Sequence, residues 1–248
     1  MRLYIDIGNS NIVIGKGEDT IEATYRYTTD PTKSSDEYYA MLKHLFDDVE
    51  AVIIASVVPQ VNTAFKTFLM RYFEIKPIFV GPGVKTGVKI KTDNPKEVGA
   101  DLVAGAAGAL EHYNDDIIII DMGTATTTSY VEQRELKGVA ISVGLDTAKT
   151  CLISNTSKLL QFEFETPRNI LGTNTIDALN SGLLFGHVFQ IIGMVKNIKN
   201  TYNNPKAEVI ITGGASKLIS SILPESYHFD ETLVLKGLIA IYKRNEPK

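Results

Sequence analysis

The chain contains 248 residues, of which 44% are hydrophobic, and carries a formal net charge of −4 at pH 7. This length suits one large domain or two modest ones, and the hydrophobic fraction can fill a substantial core. The acidic balance argues against nucleic acid as a partner, because it leaves no basic surplus for a long phosphate backbone. Cys151 is the single cysteine, which excludes an intrachain disulfide and a cysteine-based metal site.

The longest apolar runs are short, and the chain enters a predicted strand without a charged leader. A membrane helix needs about 20 consecutive apolar residues, and a secretory leader needs an apolar region of its own. We therefore expect no membrane partner and a cytoplasmic location.

Strands and helices alternate along the first half of the chain, which is typical of an α/β fold. Three short apolar runs within residues 2–28 end in small or polar residues and predict an antiparallel meander of three strands. Ser34 and Glu37 have the spacing of a capping box, so they predict the start of an amphipathic helix. The segment "AVIIASVVP" at 51–59 predicts a buried strand that is broken by proline, with a second helix after it.

The segment "NPKEVGADLVAGAAGALEHY" predicts a turn followed by a helix. Gly105, Ala106 and Gly108 are small enough to let a neighbouring helix pack closely. Asp101 lies in the first turn of this helix. A carboxylate there also favours the helix macrodipole, so its position does not by itself indicate catalysis.

The second half repeats the pattern of the first. The segment "DDIIIIDMGTATTTSYV" is an apolar strand that ends on Asp121 and continues into glycine and threonines, as "YIDIGNSN" ends on Asp6. Further strand-to-turn junctions contain Gly144, Gly213 and Gly214. The repetition predicts a duplicated architecture in which each half offers one loop to the same ligand.

The composition of these loops suits a nucleotide and its metal. The first loop contains Asp6, Gly8, Asn9, Ser10 and Asn11. Glycine lets backbone N–H groups approach a phosphate, and serine or threonine hydroxyls can hydrogen-bond its oxygens. An aspartate beside a phosphate needs a cation between them. A single Asp-x-Gly is also ordinary turn chemistry, and the sequence contains neither a P-loop nor a Gly-x-Gly-x-x-Gly after a strand.

Two further helices are predicted in the second half. The apolar side of "SGLLFGHVFQIIGMVKNIKNTYN" fits a protein core, with a subunit interface as the alternative. The segment "ETLVLKGLIAIYKRN" predicts a last helix that packs on the body of the protein.

The four histidines lack metal-ligand spacing and no hydrolase signature occurs, so we assign no chemistry to His44, His112, His187 and His228.

These segments together carry a family resemblance. In order and spacing, "DIGNSN", "SVVP", "NPKEVGAD", "DMGTATT", "GVAISVGL", "GTNT", "SGLLFG" and "ITGG" resemble type III pantothenate kinases. That family is a branch of the superfamily that includes acetate and sugar kinases and actin. The phosphate-loop motifs alone indicate the superfamily, whereas "EVGAD" and "GTNT" narrow the resemblance to this branch, and the match covers nearly the whole chain.

The resemblance implies an α/β fold of two ribonuclease-H-like domains, 1–113 and 114–248, with a catalytic cleft between them. It also implies a homodimer. The reaction would transfer the γ-phosphoryl group of ATP to the primary hydroxyl of pantothenate and give 4′-phosphopantothenate, the first step toward coenzyme A.

The family pattern implies a role for each matching position. Asp6 would act with the Mg²⁺ of the nucleotide, Asp121 would hold a monovalent cation (K⁺ or NH₄⁺), and Asp101 would accept the proton. The remaining ATP contacts would be Gly8, Asn9, Ser10, Asn11, Thr124, Gly213 and Gly214. The pantothenate contacts would be Gly99, Ala100, Asp101, Leu102 and Thr175.

Three positions depart from the family pattern. Leu102 stands where the family usually has an arginine that binds the pantothenate carboxylate, Thr92 where many members have a substrate-facing tyrosine, and Val143 where proline is usual. Losing a charge-assisted contact costs about 1.5–3 kcal/mol per bond, or at least about tenfold in affinity. The cations that could replace the arginine are Lys91, Lys96 and Arg168.

These departures leave two alternatives open. One is a catalytically weak or inactive homologue that acts as a regulator. The other is a kinase for another small hydroxyl substrate.

Overall fold

The computed structural model describes residues 1–156 and 161–246. Contacts divide the chain into two compact units. Unit 1 is formed by Met1–His112 together with Thr232–Lys248, and unit 2 by Tyr113–Glu231. Each unit has a sheet of parallel and antiparallel strands together with helices, so the expected α/β class is confirmed.

The elements alternate as the sequence predicts. In chain order they are β1 (Arg2–Ile7), β2 (Asn11–Gly17), β3 (Ile21–Thr28), α1 (Ser35–Leu42), β4 (Ala51–Ser56), α2 (Pro59–Phe73), β5 (Ile78–Phe79), β6 (Lys89–Ile90), α3 (Ala100–His112), β7 (Ile117–Met122), β8 (Ala125–Glu132), β9 (Glu135–Val143), α4 (Leu145–Ser154), α5 (Thr175–Asn180), α6 (Gly186–Thr201), β10 (Glu208–Thr212), β11 (His228–Phe229) and α7 (Leu233–Asn245). A π-helical turn, Ser181–Phe185, joins α5 to α6.

Unit 1 is built on a sheet with the strand order β3-β2-β1-β4-β5. Strands β1, β2 and β3 form the predicted antiparallel meander, and β4 runs parallel to β1. Helix α1 begins with the predicted capping box: the Glu37 N–H donates to Ser34 Oγ (3.3 Å), and the Ser34 N–H donates to Glu37 Oε2 (2.8 Å). The box satisfies two N–H groups that the helix itself leaves without partners.

The alternation of β1 separates two cores. Leu3, Ile5 and Ile7 pack with the apolar residues of α1 and α2. Tyr4 points to the opposite face, where α3 and α7 pack. Since side chains two residues apart share a face of a strand, Asp6 lies on the face that α3 and α7 cover.

Helices α3 and α7 pack with their backbones in close contact. A Cβ atom on Gly237 would lie 1.7 Å from the Ala104 carbonyl oxygen, and one on Gly108 would lie 2.3 Å from the Leu233 carbonyl oxygen. Only glycine fits at either position. The sequence-based division assigned residues 232–248 to a second domain of 114–248, but this packing places them in unit 1.

Unit 2 repeats the arrangement of unit 1. Its strands β7, β8 and β9 form an antiparallel meander, and β10 and then β11 add in parallel beside β7. One face of this sheet forms a core with α6. The duplication that the two Asp-x-Gly turns predicted is therefore present in the strand order.

The continuous helical run Thr175–Thr201 is long and apolar enough to cross a membrane, as judged by its length and composition alone. Core helices of soluble proteins pass the same test. In unit 2, Leu184, Val188 and Ile191 are almost fully buried in the core. The predicted apolar side of this helix is thus core.

Candidate active site

The β1–β2 turn of unit 1 is held by backbone hydrogen bonds. The Gly8 N–H donates to the Asn11 carbonyl (2.9 Å), and the Thr29 N–H donates to the Ser10 carbonyl (3.0 Å). Thr29 Oγ1 also donates to the Gly8 carbonyl (2.7 Å). The predicted nucleotide residues Asn9 and Ser10 are exposed at the tip of this turn. The loop is therefore a fixed backbone carrying exposed polar side chains.

The β7–β8 turn of unit 2 is shorter and is fixed differently. The Gly123 N–H donates to the Ala125 carbonyl (3.0 Å). The Thr124 carbonyl accepts hydrogen bonds from the Gly144 N–H (3.2 Å) and from Thr147 Oγ1 (2.7 Å). A Cβ atom on Gly144 would lie 2.3 Å from the Gly123 carbonyl oxygen, so a glycine at 144 is what lets the start of α4 brace this turn.

Asp121 and Gly213, both predicted from the sequence, lie against each other. Strand β10 runs parallel to β7 and pairs Thr212 with Asp121. Gly213 then turns with φ +89°, and a Cβ atom there would lie 2.4 Å from Asp121 Oδ1 and 2.5 Å from the Met122 nitrogen. Gly214, the next residue, is exposed.

The side chains beside Asp121 differ from those beside Asp6. In unit 1, Asp6 pairs across the sheet with Val13 and Ala55. In unit 2, Asp121 pairs with Thr127 on β8 and Thr212 on β10. Cross-strand partners in register point to the same face. The second aspartate is therefore flanked by hydroxyl groups and the first by apolar side chains.

Thr127 is a residue that the sequence analysis did not single out. Its Oγ1 is buried and, within the described ranges, has no hydrogen-bond partner. Its neighbour Thr126 points to the other face, where Oγ1 lies 2.9 Å from His187 Nε2. The usable signal in the sequence was the run of three threonines at 126–128, close after Gly123.

Asp101 is the second residue of α3, and its carboxylate is largely buried. The Leu102 N–H donates to Asp101 Oδ1 (2.8 Å). Burial raises the pKa of Asp101, and hydrogen bonds from the backbone N–H groups of Leu102 and of Asp101 itself partly offset that rise. A Cβ atom on Gly99 would lie 2.3 Å from Asp101 Oδ1, so glycine at 99 leaves room for the carboxylate.

A pocket of about 770 Å³ lies in unit 1 next to this segment. Gly99 and Ala100 form part of its wall, together with Ser56 at the end of β4 and the loop that contains Val80–Val84. Most of the lining is apolar, and Lys96 and Glu97 supply its charged groups. Of the three cations proposed from the sequence to replace the missing arginine, Lys96 lines this pocket.

The other predicted residues lie as follows. Thr175 begins α5 in unit 2 and is exposed, and the preceding Asn174 caps the helix by accepting from the Asp177 N–H (2.9 Å). The hydroxyl of Thr92 is buried and, in the part of the chain described, makes no hydrogen bond.

Of the four histidines, His187 is buried and the other three are exposed. Burial lowers the pKa of His187.

Comparison with known proteins gives a consistent result. A family model described as type III pantothenate kinase matches residues 2–197. A protein of Exiguobacterium sp. (strain AT1b) named type III pantothenate kinase is 42% identical over 99% of this chain and 100% of its own length. The protein of the same name from Halalkalibacterium halodurans is 40% identical over the same shares.

Solved structures share the fold at low identity. A Baf family protein from Campylobacter jejuni aligns with a TM-score of 0.65 at 18% identity over 98% of both chains. A ROK family glucokinase from Streptomyces griseus, in complex with glucose and AMPPNP, aligns with a TM-score of 0.53 at 14% identity, also over 98% of both chains. These likenesses confirm the expected kinase-type fold and carry no information on the acceptor. The sequence matches, which span the chain, show that it belongs to the type III pantothenate kinase family.

Proposed function

We propose that this chain is an active kinase that transfers the γ-phosphoryl group of ATP to the primary hydroxyl of pantothenate, the first step of coenzyme A biosynthesis. The observation that carries the proposal is the Asp101 carboxylate, which is largely buried, held by the Leu102 N–H and given room by Gly99. Membership of the family supports pantothenate as the acceptor.

Asp101 accepts the proton of the attacking hydroxyl in this proposal. The hydroxyl oxygen bonds to the γ-phosphorus while the bond from that phosphorus to the bridging oxygen of ADP breaks. Burial raises the pKa of Asp101, which makes its carboxylate a stronger base than a solvated one. Since phosphoryl transfer depends mostly on positioning, a carboxylate fixed by its own helix backbone is the main protein group that the acceptor side needs.

The two turns are proposed to bind the nucleotide phosphates. Asn9, Ser10 and Thr124 would bind phosphate oxygens, and Gly213 would let the backbone approach the nucleotide. Asp6 would hold Mg²⁺, which neutralises charge on the phosphate oxygens when it is bound. Among residues 1–156 and 161–246, no group of three or more histidine, cysteine, aspartate or glutamate side chains could hold a metal ion. This fits Mg²⁺, which is commonly bound by one or two carboxylates plus substrate phosphates.

Lys96 is proposed to replace the arginine that the family usually has at position 102. Leu102 offers neither a charge nor a donor, whereas Lys96 lines the pocket that Gly99 and Ala100 border. An ammonium group binds a carboxylate as a point charge rather than in the bidentate geometry of a guanidinium. We therefore expect weaker binding of pantothenate than an arginine would give.

The first test is a coupled ADP-release assay with MgATP, potassium and pantothenate, in which the product is identified by mass spectrometry. We expect turnover by the parent, and a KM for pantothenate about tenfold higher in Lys96→Ala with kcat retained, because a charge-assisted contact is lost. Leu102→Arg, added to Lys96→Ala, should restore the KM. Lys89→Ala, at an exposed lysine of β6, is the matched control.

Each other outcome shows which part of the proposal is wrong: the carboxylate contact, the activity or the acceptor. An unchanged KM in Lys96→Ala would place the carboxylate contact elsewhere. If neither the parent nor Leu102→Arg turned over pantothenate or any other small hydroxyl substrate tested, the result would favour an inactive homologue that acts as a regulator. Turnover only with another acceptor would favour a kinase of different specificity.

We infer that the protein is a cytoplasmic homodimer with unit 2 at the interface. Unit 2 exposes several large apolar side chains: Ile170 (55%), Leu171 (79%), Ile176 (53%) and Phe189 (57%). Where exposed apolar side chains form a contiguous patch, the patch marks an association surface. Phe189 also stacks on Phe185 with ring centroids 6.2 Å apart, which presents a broad aromatic surface.

Phe189→Glu is expected to convert the dimer to a monomer, because the interface would then bury an unpaired charge. Size-exclusion chromatography with light scattering measures the mass. Met70→Glu, at a residue of unit 1 that is 49% exposed, should leave the dimer intact. A monomeric parent would contradict the inference, and so would a Phe189→Glu variant that stays dimeric.

A further inference from the structure

We infer that Thr127 is an additional ligand of the monovalent cation proposed for Asp121, an inference that rests on the proposed function. The hydroxyl of Thr127 is buried and, across the described residues, accepts and donates no hydrogen bond. Leaving a buried hydroxyl without a partner costs free energy, and such a group in a native protein calls for an explanation. A bound ligand that uses the oxygen would remove the cost.

The register of the sheet places this hydroxyl beside Asp121. Thr127 on β8 is the direct cross-strand partner of Asp121 on β7, so their Cβ atoms are about 4.5–5.5 Å apart on one face. Thr212 on β10 is the partner of Asp121 on its other side. Three oxygen-bearing side chains thus form one row across three neighbouring strands.

The charge of this row favours a cation over an anion. A carboxylate between two neutral hydroxyls presents oxygen lone pairs with a single negative charge, which would repel a phosphate. Oxygen ligands are also the ligands that alkali and alkaline-earth cations prefer. Within the described ranges no group of three or more histidine, cysteine, aspartate or glutamate side chains could hold a metal ion, and one carboxylate with neutral oxygens suits a monovalent ion better than a divalent one.

The corresponding position in unit 1 supports the assignment. Asp6 occupies the same place at the end of β1, but its cross-strand partners are Val13 and Ala55. Neither side chain has an oxygen to offer. The duplicated turns therefore differ in the atoms beside the aspartate, and only the Asp121 row carries hydroxyls suited to a desolvated monovalent ion.

Thermal unfolding in KCl, compared with choline chloride at equal ionic strength, tests the inference with and without MgADP. We expect the Tm of the parent to rise and saturate with KCl, since a ligand that binds the native state stabilises it. Thr127→Val removes the oxygen and keeps the shape. It should raise the half-saturating KCl concentration about tenfold or more, whereas Thr127→Ser should keep the response of the parent.

Thr126→Val is the matched control, because it removes a hydroxyl on the same strand that faces His187 instead. It should leave the half-saturating KCl concentration unchanged. If the parent responds and Thr127→Val responds equally, the Thr127 assignment is wrong while the cation site stands. If the parent shows no KCl response in either condition, the cation site itself is wrong, and the pantothenate assay then judges the kinase separately.

Discussion

Asp101→Asn is expected to lower kcat for pantothenate phosphorylation by about 10²–10⁴-fold, the usual contribution of a general base. The amide oxygen of asparagine can still accept the Leu102 N–H that now bonds Asp101 Oδ1 at 2.8 Å. The fold and the nucleotide turns should therefore be preserved. We also expect an equal or higher Tm, because the variant no longer buries a carboxylate.

The pH dependence of kcat follows from the same residue. Burial raises the pKa of Asp101, and the group must be ionised to accept a proton. As the pH falls through this raised pKa, the carboxylate is protonated and kcat falls. The acidic limb of the parent should thus lie above about pH 4, the ordinary range of aspartate, and this limb should be absent from the residual activity of Asp101→Asn.

Asp93→Asn is the matched control, since Asp93 is an exposed aspartate in the preceding loop. It should have a kcat and a pH profile like those of the parent. If Asp101→Asn retained turnover within about twofold of the parent, the assignment of Asp101 as the proton acceptor would be wrong, because a general base contributes far more than that.

Gly213→Ala is expected to lower the free energy of unfolding by more than about 3 kcal/mol, because it combines backbone strain with overpacking. Gly213 has φ +89°, and an added Cβ would lie 2.5 Å from the Met122 nitrogen and 2.4 Å from Asp121 Oδ1. Relieving these contacts must move the end of β7. We therefore also expect weaker binding of MgATP by the folded fraction.

Gly83→Ala separates strain from crowding. Gly83 has φ +91°, close to that of Gly213, yet no heavy atom lies within 4 Å of its hypothetical Cβ. Its substitution should cost only the strain of a left-handed alanine, about 1–2 kcal/mol. Urea unfolding measures both variants, and nucleotide titration measures the affinity. Equal losses of stability would contradict the claim that contact with Asp121 and Met122 makes Gly213 special.

Local patterns were sufficient for the elements whose causes are local. The capping box at Ser34 and Glu37, the meander within 2–28 and the two Asp-x-Gly turns depend on residues a few positions apart, and each is present in the structure. Asp121 and Gly213 were predicted as separate site residues, and the structure shows that they lie against each other. Asp121 lies near the end of β7 and Gly213 directly follows β10, and parallel strands bring their carboxyl ends to one edge of a sheet.

Long-range packing was beyond such patterns. The fit of Gly237 against Ala104 joins segments on either side of unit 2, so the sequence alone led to an undivided second domain. The space that Gly99 leaves for the Asp101 carboxylate depends on the distance between the Gly99 Cα and Asp101 Oδ1. The residue types alone do not reveal that distance. Thr127 required the register of β7 and β8, since a shift by one residue would point its hydroxyl to the other face.

The close packing of α3 on α7 has a consequence for biosynthesis. Because α7 follows unit 2 in the chain, the ribosome releases all of unit 2 before the helix that carries Asp101 meets its partner. The small-residue surface of α3, which Gly108 presents to α7, stays uncovered during that interval. Domains generally fold as they emerge, so unit 2 can form early, while α3 of a nascent chain packs against its partner helix only when α7 docks.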